Sequence, residues 1–165
     1  MRTLDTRDLN ERKIELEGYR DTLQECQEAL QEAEKALADF NPDRPNVAPD
    51  DEAWLEERDR LQEAVGDAGD ALDIAVIDFG DEEREELEEL ETLENEISEW
   101  RHGETLIREE DFEDYAREMA EDMHGRAIRD ATWPFTCIDW SQAAEELAMD
   151  YSTVTYQGQD YLVRS

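Results

Sequence analysis

Five leucines spaced seven residues apart, Leu9, Leu16, Leu23, Leu30 and Leu37, constrain the first part of this chain more than any other feature. Arg12, Tyr19, Cys26, Ala33 and Phe40 stand three places after each. A heptad repeat of this kind returns one apolar stripe to the same side of a helix, where a partner helix must cover it. The pattern predicts a coiled-coil helix over residues 5 to 40, about 54 Å long at about 1.5 Å per residue. Pro42, Pro45 and Pro49 follow it. Proline lacks the amide proton and disfavours helix in the residue before it, so 41 to 49 read as a turn.

A second helix is expected from Asp50 or Asp51, where carboxylates suit the positive end of the helix dipole. Trp54, Leu61, Val65, Ala68, Leu72, Ala75 and Phe79 form its seam, and heptad spacing again predicts that the two helices fold back as an antiparallel hairpin. At Asp78-Phe79-Gly80-Asp81 the register shifts, and Leu90, Leu93, Ile97 and Trp100 begin a new seam. The expectation there is a kink or break, with a stutter in one long helix as the alternative. The first seam holds more leucine than one hairpin obviously covers. A homodimer through Leu9, Leu16, Leu23, Leu30 and Leu37 is therefore expected, although the heptads also fit a monomeric hairpin.

After Arg101-His102-Gly103 the heptads stop. Phe112, Tyr115, Ala116, Met119, Ala120 and Met123 mark one helical face that ends near Gly125, and Asp139 or Ser141 can cap a second helix carrying Ala143, Ala144, Leu147 and Ala148. Ser152 to Tyr156 and Gln159 to Val163 flank Gln157-Gly158 and read as a β-hairpin with Val154 facing Tyr161. The expected fold class is mainly α: an antiparallel coiled-coil helical hairpin over 1–103, then a small α+β module with a C-terminal β-hairpin over 104–165.

Little in the sequence supports catalysis. His102 and His124 stand alone, Cys26 falls in the leucine seam, and Cys137 sits among aromatic residues, where packing is its expected role. No phosphate-binding, dinucleotide, metalloprotease, nucleophile-elbow or EF-hand pattern occurs. Carboxylates are too abundant for one pair to stand out as acid and base. The expectations are no enzyme activity, no catalytic residues, no metal and no cofactor. The first ten residues have no apolar signal-peptide core, and no apolar run approaches a membrane span, so a reduced cytoplasmic protein is expected.

The charge is the functional signal. Asp and Glu number 49 against 16 Lys and Arg, a net −33. Composition of this kind is typical of disordered chains, yet here the periodic seams place the charge on ordered helices. Nucleic acid and anionic membranes are poor direct ligands, since those surfaces are bound by Lys and Arg that displace counterions. Eleven of the 19 positions from Asp81 to Glu99 are acidic, with only Arg84 opposing. That is about 0.35 charges per Å, against about 0.6 per Å for duplex DNA. Coiled coils normally mix signs, because like pairs destabilise a helix. A helix that accepts repulsion so often suggests that the field itself is useful, with Glu82, Glu83, Glu85, Glu86, Glu88, Glu89 and Glu91 imitating a phosphate ladder. The plain alternative is a solvated acidic surface.

Residues 104 to 165 carry a family resemblance. Glu104-Thr105-Leu106-Ile107, the acidic aromatic stretch Asp111 to Asp122, Ile138-Asp139-Trp140 with Ala143-Ala144-Glu145-Glu146-Leu147, Asp150-Tyr151 and the terminal hairpin resemble the last domain of ArdA-type antirestriction proteins. Members of that family are acidic DNA mimics of phages and mobile elements that occupy the DNA-binding groove of Type I restriction-modification enzymes. The resemblance implies a non-enzymatic inhibitor whose partner is a DNA-binding bacterial defence protein in the host cytoplasm. It adds Glu110, Asp111, Glu113, Asp114, Glu118, Glu121 and Asp122 as partner-facing carboxylates. Nothing before residue 104 resembles the family. Inhibition of another defence system such as CRISPR, or a coiled-coil structural role in a phage or mobile element, stays open beside it.

Overall fold

The leucine heptads lie on one long helix, α1 (Thr6–Asp39), preceded by a short strand, β1 (Thr3–Asp5). The structure is a computed structural model and describes residues 3–40, 52–130 and 133–164. Burial follows the repeat: Leu9, Leu16 and Leu23 are buried, whereas Leu30 and Leu37 are half-buried. On α2 (Glu52–Asp78) the expected seam residues from Trp54 to Leu72 are half-buried, and Ala75 and Phe79 are buried. Phe40 stacks on Trp54 with ring centroids 5.4 Å apart, the contact expected where a helical hairpin doubles back. The turn expected at 41–49 and the helix start expected at Asp50 or Asp51 lie outside the described residues.

The register shift is a break. α2 stops at Asp78 and α3 spans Asp81–Glu96. The Glu83 carboxylate accepts the Gly80 N–H at 3.0 Å, the N3 half of a capping box, which satisfies a donor that a continuous helix would have used internally. Leu87, Leu90 and Leu93 are buried on α3. Ile97 and Trp100, expected on the same helix, fall beyond its end; Trp100 opens a short 3-10 turn, Trp100–His102, and donates its indole N–H to Asn10 Oδ1 at 2.9 Å. Both remain buried.

The chain divides into two units. One is Glu15–Glu85; the other joins the first fourteen residues to everything from Glu86 onward. This differs from a boundary after residue 103, and strand pairing is the reason. β1 pairs antiparallel with β2 (Thr105–Arg108), Leu4 opposite Leu106, so the N-terminal strand belongs to the C-terminal module. Gly103, just before β2, has a φ of +91°, a left-handed conformation that glycine adopts without strain.

The module continues through α4 (Phe112–His124), the short α5 (Arg126–Arg129) and α6 (Trp140–Ala148) to β3 (Tyr151–Tyr156) and β4 (Gln159–Arg164). Asp139 caps α6 by accepting the Gln142 N–H at 3.2 Å. The sheet order is β1-β2-β4-β3, with Val154 opposite Tyr161. Gln157 and Gly158 have φ of 49° and 69°, the sense of a type I′ turn that matches strand twist. Side chains alternate between two sheet faces. Ile107 and Leu162 share one face and pack with Phe112 and Ala116 of α4 and Ala144 of α6. Leu106, Val154, Tyr161 and Val163 are buried on the other.

Candidate functional site

The buried Leu87, Leu90 and Leu93 fix which way α3 points. Glu82, Glu85, Glu88 and Glu89 are consequently exposed, and Glu83, Glu86 and Glu91 are half-buried at the flanks. The acidic residues divide by what they touch. Glu83 caps Gly80. Glu86 takes a two-donor contact from Arg12, at 2.9 and 3.2 Å, and accepts the Tyr156 hydroxyl at 3.2 Å. Glu89 accepts the Gln157 backbone N–H at 3.0 Å. Glu94 meets the nearly buried Lys13 at 3.1 Å and Arg101 at 3.3 Å. Glu86, Glu89 and Glu94 tie α3 to the module, Glu83 caps its start, and these four are structural before they are anything else.

The electrostatics agree with that division. The Lys13 hydrogen bond holds the Glu94 carboxyl below its ordinary range, against the opposing effect of burial, and Arg101 adds to the depression. Burial, and then the Glu86 carboxylate beside it, push the Tyr156 hydroxyl up to about 12. Glu82, Glu85 and Glu88 make no ion pair or side-chain hydrogen bond among the described residues. They rise along one side of α3 at about 4.5 Å per step. Nothing in the fold requires their charge.

On α4 the same sorting applies. Glu110 pairs with Arg108, and Glu121 lies 3.4 Å from Arg117 and 3.7 Å from Arg129. Asp111 is half-buried at the helix start, while Glu113, Asp114, Glu118 and Asp122 are exposed and without an ion pair among the described residues. Asp114, Glu118 and Asp122 form a column at i, i+4 and i+8, about 6 Å apart per step.

From Glu86 onward α3 lies against one face of the sheet, and α4 lies against the other. Tyr156 and Tyr161 share a sheet face, and Tyr156 reaches Glu86 of α3. Ile107 and Leu162 occupy the opposite face, and α4 packs on them.

The leucine seam is unevenly covered. Leu9, Leu16 and Leu23 are buried within a single chain, whereas Leu30 and Leu37 are half-buried. Cys137, expected to pack among aromatics, is exposed, and Cys26 is half-buried in the seam. Sequence reading missed Arg12, Lys13, Tyr156 and Gln157 as partners of the acidic helix. Only Arg12, at a heptad position where an apolar residue is usual, carried a signal. Among the described residues no group of three or more His, Cys, Asp or Glu could hold a metal ion, and no helix is long and apolar enough to cross a membrane. Comparison with protein-family models, with curated proteins and with solved structures finds no match for this chain.

Proposed function

We propose that this protein is a stoichiometric DNA-mimic inhibitor that binds the DNA-binding groove of a bacterial defence enzyme, with Type I restriction-modification as the first target. The observation that carries the reading is the unpaired row Glu82, Glu85 and Glu88 on a helix whose orientation is fixed by three buried leucines. Ordered like charges lower the local stability of a helix, so their retention beside a separate structural set is what a recognition surface requires. The choice of target rests on the resemblance of residues 104 to 165 to ArdA-type proteins. Inhibition needs no bond making and no cofactor; it needs a charge array held rigidly enough to displace duplex DNA.

The test is cleavage by a Type I restriction enzyme in the presence of the full chain and of a Glu82→Gln, Glu85→Gln, Glu88→Gln variant. Inhibition that saturates near one protein per binding groove and weakens in the variant supports the proposal. Absence of inhibition, or inhibition indifferent to the three substitutions, removes it.

A second reading is favoured by one observation. Ile74 and Ile77, one turn apart on α2, are 61% and 78% exposed, unusual for isoleucine in so polar a chain. They suit a coiled-coil contact with a second copy, in which the acidity only solubilises. Ile74→Lys with Ile77→Lys would then abolish self-association, while the glutamate variant would leave it intact.

A further inference from the structure

The sheet ends on one side in an open strand. β3 is the edge of the order β1-β2-β4-β3, and its residues run opposite β4 without a bulge, from Tyr151 with Arg164 to Tyr156 with Gln159. The two-residue turn makes Tyr156 and Gln159 a hydrogen-bonded pair, and such pairs alternate along an antiparallel ladder. Ser152, Val154 and Tyr156 therefore direct their backbone groups to β4, while Tyr151, Thr153 and Thr155 direct theirs outward. Among the described residues the outward N–H and C=O groups make no hydrogen bond, and Thr153 and Thr155 are exposed.

Open edges invite pairing with another chain, and proteins ordinarily blunt them with Lys, Pro, bulges or inward charges. β3 has none of these. Although 39% of the residues in this chain are charged, Tyr151 to Gln159 is its longest stretch without a charged side chain. Asp160, across the hairpin, is held back onto it by the Thr155 hydroxyl at 2.7 Å. Solubility alone would be served by the carboxylates used elsewhere. A cationic partner strand would be matched by carboxylates on β3, whereas a second copy of an acidic chain needs their absence.

We propose that β3 pairs antiparallel with β3 of a second copy, joining the two four-stranded sheets edge to edge. The strand is self-complementary. Centring the pair on Thr153 sets Tyr151 opposite the partner's Thr155 and engages all three outward residues of both copies in about six main-chain hydrogen bonds. Threonine opposite threonine is a favourable cross-strand pair, and no like charges stand opposite each other. Centring on Ser152 or Val154 instead carries one outward residue of each copy past the end of its partner strand.

The contact is small and both copies carry the same net charge, so association is expected to be weak and to tighten with salt. Sedimentation equilibrium of the full chain from about 10 µM to 1 mM, in about 50 mM and 500 mM sodium chloride, reads it. The expected result is a monomer–dimer equilibrium whose association constant rises at least about threefold at the higher salt. Amide hydrogen exchange at Thr153 and Thr155 should slow as the dimer forms. Thr153→Pro removes an outward N–H, which edge strands tolerate, and should abolish the dimer; Ile74→Lys with Ile77→Lys should leave it intact. If Thr153→Pro fails to fold, Thr153→Glu sets like charges opposite each other and should lower the association constant at least about tenfold at the higher salt, where a distant added charge is screened. A chain that stays monomeric throughout, leaving the edge to a different protein, overturns the proposal. So does a dimer that weakens with salt, survives Thr153→Glu or is lost with the two isoleucines.

Discussion

Replacing Glu85 and Glu88 together by glutamine should make the protein more stable and a poorer inhibitor. Both side chains are exposed and unpaired on α3, so neither substitution removes a contact. Glu85 has like-charged neighbours one turn away at Asp81, Glu82, Glu88 and Glu89, and Glu88 has a further one at Glu91; Arg84 is the single favourable neighbour, four residues before Glu88. Five repulsive pairs and one attractive pair are lost, a net gain of four pairs at about 0.2–0.5 kcal/mol each. Screening at physiological salt moves the total toward its lower end, about 1 kcal/mol. For a chain of this size that is a rise in melting temperature of about 2–4 °C. The same two charges belong to the proposed binding row, and their loss should weaken inhibition about tenfold, mainly through slower association. Thermal unfolding and a restriction-inhibition titration, run on the same two samples, read both effects. A melting temperature that stays level or falls, or inhibition that is unchanged, refutes the claim that this row exchanges stability for recognition.

Leu90 is fully buried on α3, so Leu90→Ala should lower the unfolding free energy by about 2–5 kcal/mol in a urea titration; a loss below 1 kcal/mol would mean that α3 is not anchored by its leucines. Because Lys13 depresses the folded pKa of Glu94, the stability from that pair is present above the unfolded carboxyl value of 4.5 and lost as pH falls through the lower folded one. Lys13→Met should therefore be more destabilising at pH 7 than at pH 3, and an equal penalty at both pH values would exclude the linkage. Added sodium chloride should raise the melting temperature between about 20 mM and 500 mM, since screening relieves net repulsion more than it weakens the few ion pairs; a fall would show that the pairs outweigh the repulsion.

Much of the fold was legible because it is periodic. The heptad from Leu9 to Leu37, the α2 seam ending at Phe79 and the run from Leu87 to Leu93 coincide with the least exposed positions. Local chemistry was equally readable at Asp139, whose carboxylate caps α6, and at Gln157-Gly158, where the turn sets Val154 opposite Tyr161. β1 and β2 were missed because strands of three and four residues are too short to show alternation. Once paired, they carry the N-terminus into the C-terminal module and displace the expected boundary. The acidic row was visible only as composition. Its division into structural and unpaired carboxylates depends on contacts such as Glu86 with Tyr156 and Glu89 with Gln157, about seventy residues apart, which no local pattern reports.

The most direct measurement is competition for the groove itself. A fluorescent duplex bound to a Type I restriction-modification enzyme is titrated with this protein at about 50 mM and 300 mM salt, and displacement is followed by anisotropy. Stoichiometric displacement at low salt, weaker at high salt and weaker again with Glu82, Glu85 and Glu88 changed to glutamine, is the outcome that DNA mimicry requires. A duplex that stays bound at both salt concentrations, with the protein in excess, would contradict it.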